Sequence, residues 1–64
     1  MPRLILLDEF HLTVRAPQRL PESEYEAMRR VLDDPRFQAE LARAARDVFR
    51  RHPALRRARV TLSR

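Results

Sequence analysis

The stretch Arg3–Arg15, RLILLDEFHLTVR, decides how this chain is read. Leu4, Leu6, Phe10, Leu12 and Val14 share one parity, the period-two signature of a half-buried strand. Asp8 breaks the apolar series, which predicts a bulge or bend near Asp8–Glu9. Ile5 and Leu7 make the first half apolar on both faces, as expected of a segment lying between layers or covered by another chain. Leu4, Ile5, Leu6 and Leu7 are therefore the expected oligomer interface. The second half keeps a polar face of Glu9, His11, Thr13 and Arg15. Taken as a strand, this stretch makes the chain α+β.

Downstream, Pro17 to Pro21 forms the connection, with two prolines ending the strand and stiffening the turn. Ser23 and Glu26 have capping-box spacing, so a helix is expected to start near Glu22–Glu24. Tyr25, Met28 and Leu32, with Ala27 and Val31 beside them, give it an apolar face. Pro35 interrupts the pattern and suits the first position of a second helix capped by Asp34. That helix is predicted to run to about His52, where Pro53 stops it; Phe37, Leu41, Ala44, Ala45, Val48 and Phe49 follow helical spacing. Arg57–Ser63 reads as a second strand, Ala58, Val60 and Leu62 on one side and Arg57, Arg59, Thr61 and Ser63 on the other.

The expected architecture is a small strand-helix-helix-strand unit, one domain over residues 1–64. A kink at the Asp33–Pro35 joint would make the strands parallel, and a reversal antiparallel. Two strands alone make a poor sheet with open edges, so the sheet is expected to be completed by homo-oligomerisation, most simply as a homodimer. Length argues the same way. A chain of 64 residues buries only about 60% of its unfolded surface, and with no cysteine there is no disulfide or thiolate metal site to compensate. No glycine is present, which excludes glycine-rich phosphate loops and glycine-dependent tight hairpins. Leu4–Leu7 is too short for a membrane span or a signal-peptide core. A cytoplasmic protein without a membrane partner is expected.

Charge carries the functional signal. All 14 basic side chains are arginine, each a permanent cation with a planar fork matched to phosphate and carboxylate. Residues 1–34 balance to −2 and residues 35–64 to +7, and Arg43 to Arg64 holds eight arginines against the single acid Asp47. Part of this polarity serves helix dipoles: Glu22, Glu24 and Glu26 sit at a helix start, and Arg50, Arg51 and His52 at an end. The excess points to a polyanionic partner, DNA or RNA, bound largely without regard to sequence. Arg50, Arg51, Arg56, Arg57 and Arg59 are the expected nucleic-acid-binding residues. A sheet platform could add Thr61, Ser63, His11, Thr13 and Arg15, but it lacks aromatics for base stacking. On the second helix Arg36, Arg43 and Arg50 repeat every seven residues, yet Arg36–Glu40, Arg43–Asp47 and Asp47–Arg51 have i,i+4 spacing, so a ladder of surface ion pairs is the preferred reading there. The alternative function is an oligomeric assembly or adaptor module whose arginines contact an acidic protein partner.

In element order, roughly residues 10–52 resemble the ribbon-helix-helix repressors. The glycine-free joint, the long first strand and the second strand depart from that family, which is not adopted. Pro2, the amino terminus once Met1 is removed, resembles the amino-terminal general base of the small tautomerases. That resemblance implies a keto–enol enzyme as a remote alternative; the late helix and missing C-terminal hairpin depart from it. His11 with Glu9 supplies two ligands, too few for a metal site, and His52 suits a helix end. The chain therefore reads as a non-enzymatic binding protein without cofactor.

Overall fold

Two helices meet at a single residue, Asp34. The structure, a computed structural model, describes residues 3–64. Helix α1 spans Glu22–Asp33, helix α2 spans Pro35–Arg50, and one 3₁₀ turn follows at Pro53–Leu55. Asp34 has extended backbone angles (φ −72°, ψ 124°), which breaks the helical path and puts a corner between α1 and α2. Its side chain caps α2 as the sequence suggests: the Arg36 amide donates to Asp34 Oδ1 at 2.8 Å, and Pro35 occupies the first turn. Such a cap contributes about 1 kcal/mol. Gln38 Nε2 reaches back to the Leu32 carbonyl at 3.2 Å and ties the two helices across the corner.

The start of α1 falls where expected, but without the capping box. Pro21 is the cap residue and no side chain bonds the free amides; the Glu24 amide donates to the Pro21 carbonyl at 3.0 Å instead. Tyr25 does the anchoring. Its hydroxyl donates to the Pro17 carbonyl at 2.6 Å and accepts from the Leu20 amide at 3.2 Å. These bonds close the turn around Arg19, whose φ of 65° is in the left-handed region.

Among the described residues there is no strand. The expected α+β strand-helix-helix-strand unit, with a sheet completed by a second copy, is therefore overturned: the chain is helical, with an extended arm before the helices and an irregular tail after them. A ladder needs two extended segments side by side, and here they lie on different helices. The arm's inner end, Val14–Ala16, lines an open hollow with Tyr25, Met28 and Leu32 of α1 and Phe37 of α2. The tail runs back along α2. Ala58 to Thr61 line one hollow with Arg43, Arg46 and Phe49, and the Arg64 guanidinium reaches Asp33 at 2.9 Å, near the start of α2.

No described residue is fully buried. Leu32, Phe37, Leu41, Ala45 and Phe49 make a half-buried seam, over which Leu55 and Val60 fold. The molecule measures 50 × 22 × 20 Å, with a radius of gyration of 15.9 Å, against about 11 Å for a compact domain of this length.

Candidate nucleic-acid interface

The seam positions the charge. Half-burying Phe37, Leu41, Ala45 and Phe49 turns the remaining stripes of α2 outward, and Arg43, Arg46 and Arg50 at i, i+3 and i+7 share one of them. At the end of α2, Pro53 starts the 3₁₀ turn, and the Arg56 amide bonds to the Pro53 carbonyl at 3.1 Å. The Ala58 amide then bonds to the Leu55 carbonyl at 2.9 Å and directs the tail back over the helix. Between helix and tail lies an open hollow of about 620 Å³. Arg43, Arg46 and Arg50 line it from the helix, and Arg56 and Arg59 from the opposite rim. Phe49, Leu55 and Val60 supply its apolar floor and Thr61 a hydroxyl.

Ion pairing leaves most of this charge available. Asp47 pairs with Arg50, and Asp34 with Arg36 at 3.4 Å. Among the described residues the other ion pairs are Arg29–Glu22 at 3.4 Å and Arg64–Asp33. Arg43, Arg46, Arg56 and Arg59 therefore have no carboxylate partner there. The expected ladder of Arg36–Glu40, Arg43–Asp47 and Asp47–Arg51 does not form, because Asp47 takes the i+3 arginine and Arg36 turns to the cap.

Of the five arginines expected from sequence, the hollow collects Arg50, Arg56 and Arg59. Arg51 and Arg57 are exposed but do not line it. Arg43 and Arg46 also belong to it: the spacing had put Arg43 in the ion-pair ladder and left Arg46 in the basic excess near the end of the second helix, and their i, i+3, i+7 spacing with Arg50 was the available signal. The platform of His11, Thr13 and Arg15 beside Arg57, Arg59, Thr61 and Ser63 does not form, since arm and tail are apart. Leu4, Ile5, Leu6 and Leu7 lie on the arm and are 75–83% exposed. Pro2 lies outside the described residues. Among the described residues no three His, Cys, Asp or Glu side chains gather in one place, and no helix is long and apolar enough to cross a membrane.

Chemically, the hollow offers five guanidinium forks over an apolar floor. Such an arrangement neutralises spaced anionic groups and can stack on planar ones. Comparison with protein-family models, with curated proteins and with solved structures finds no match to this chain.

Proposed function

We propose that this protein is a non-enzymatic binder of nucleic acid, gripping the phosphate backbone in the arginine-lined hollow between α2 and the tail. The observation that carries the reading is the convergence of Arg43, Arg46, Arg50, Arg56 and Arg59 on one open hollow, four of them without a carboxylate partner among the described residues. Phosphate contacts of this kind position a protein on nucleic acid without reading its sequence. The same proposal puts the protein in the cytoplasm, where DNA and RNA are both within reach.

The test is fluorescence anisotropy with DNA and RNA duplexes and single strands over a salt series. Neutralising four or five phosphates gives affinity that falls about 10²–10³-fold between 50 and 200 mM salt on B-DNA. Binding should be similar across unrelated sequences and lost in the Arg56→Glu/Arg59→Glu double variant. Binding that ignores salt, or that survives this double variant, would overturn the proposal.

A further inference from the structure

Ahead of Val14 the arm stands in solvent. Leu4, Ile5, Leu6, Leu7, Phe10, Leu12 and Val14 are 62–83% exposed, on a segment that makes no ladder. A folded chain of 7.7 kDa exposes about 4,300 Å². This one exposes 6900 Å², roughly 2,600 Å² more than that scaling gives. A specific dimer of standard size covers about 800 Å² per partner, so the excess is ample for one.

A receptor of matching character sits at the arm's root. A mainly apolar hollow of about 480 Å³ lies between α1 and the start of α2, lined by Met28, Val31, Leu32 and Phe37. Met28 and Val31 remain 39% and 53% exposed. Val14–Ala16 of the same chain already line its edge. Arm and hollow thus match in apolar character.

We infer that two copies exchange arms, Phe10 and Leu12 of each entering the other's Met28–Val31–Leu32–Phe37 hollow. The occupant is a second copy because the chain's own arm would have to reverse just ahead of Val14. Residues 3–16 contain neither glycine nor proline to make that reversal. An arm from a second copy arrives already extended. Each copy offers the same arm and the same hollow, so the contact is self-complementary and closes with two-fold symmetry. No sheet is involved, and the exchange stands independently of nucleic-acid binding.

The test is light scattering of the full chain with paired variants. Wild type is expected at twice the monomer mass at tens of micromolar. Phe10→Asp/Leu12→Asp should be monomeric with an unchanged helical circular dichroism signal, since these side chains are 82% and 70% exposed. Met28→Asp should also be monomeric, and mixing the two variants should restore heterodimers, because one intact arm then meets one intact hollow. The absence of cysteine permits a second measurement that does not rely on Met28→Asp folding. In a Leu12→Cys/Val31→Cys chain, oxidation should join two copies covalently. A monomeric wild type, a dimer indifferent to the arm substitutions, a mixture without heterodimers, or a disulfide confined to one chain would each overturn the exchange.

Discussion

The Arg64 guanidinium stands 2.9 Å from the Asp33 carboxylate, so the described chain's last residue is pinned to the end of its first helix. Both side chains are more than 60% exposed, and an exposed pair contributes about 0.2–1 kcal/mol. Its weight is in geometry. The contact holds the tail across α2 and thereby the Arg59 rim of the hollow opposite Arg43 and Arg46. Arg64→Ala should change the urea midpoint little. It should raise tail amide exchange at residues 58–63 and weaken oligonucleotide binding more than removal of one exposed charge far from the hollow, such as Arg3→Ala. Equal effects of the two variants on binding would show that the tail does not need the pin.

Tyr25→Phe removes one donor to Pro17 and one acceptor for Leu20. Each such bond contributes about 0.5–1.5 kcal/mol net. Thermal unfolding followed at 222 nm should shift to lower temperature. The loop amides from residue 18 to residue 20 should lose protection before those of α2.

Arg19 is a non-glycine residue in the left-handed region, a conformation that costs about 1–2 kcal/mol for a residue with a Cβ. Arg19→Gly should therefore raise the urea midpoint, or at least not lower it, despite glycine's greater freedom in the unfolded chain. A clear loss of stability would mean that the Arg19 side chain has a role beyond its backbone angle.

Asp34→Ala leaves the first amides of α2 uncapped and should lower stability by about 1 kcal/mol. Asp34→Asn, which retains an accepting oxygen, should recover most of it. The comparison is read from urea titrations of the two variants beside wild type.

Arg46 lines the hollow and Arg51 does not. Arg46→Ala should flatten the plot of log K against log salt by about 0.9, one phosphate contact on B-DNA, while Arg51→Ala leaves the slope unchanged. Both lower the net charge by the same amount, so the comparison separates a localised site from diffuse attraction.

Some local signals in the sequence were read correctly and one, the Ser23–Glu26 capping box, was not. Asp34–Pro35 is a cap followed by a residue suited to a helix start, and Pro53 stops a helix; both lie where those chemistries put them. The strand reading failed for a reason just as physical. Alternation of Leu4, Leu6, Phe10, Leu12 and Val14 reports a segment able to pair, but pairing needs a neighbour, and the tail that was to supply it lies on α2. The candidate site divides along the same line. Arg56 and Arg59 were legible as part of a cationic cluster, whereas Arg43 seemed committed to Asp47 until Arg50 was found holding that carboxylate. Which of two arginines captures one acid is settled by rotamers and by the three- or four-residue step, and spacing alone does not rank them.

The order of the chain gives the exposed arm a further consequence. Leu4–Leu7 and Phe10 are synthesised before either helix, so during translation they are in water before any folded surface of the chain exists. A run of apolar residues in that position is a substrate for holding chaperones and a nucleus for aggregation. Expression level should therefore follow the solubility of the arm more closely than the stability of the helices, and polar substitutions at Leu6 or Leu7 should raise yield even where they leave the melting temperature unchanged.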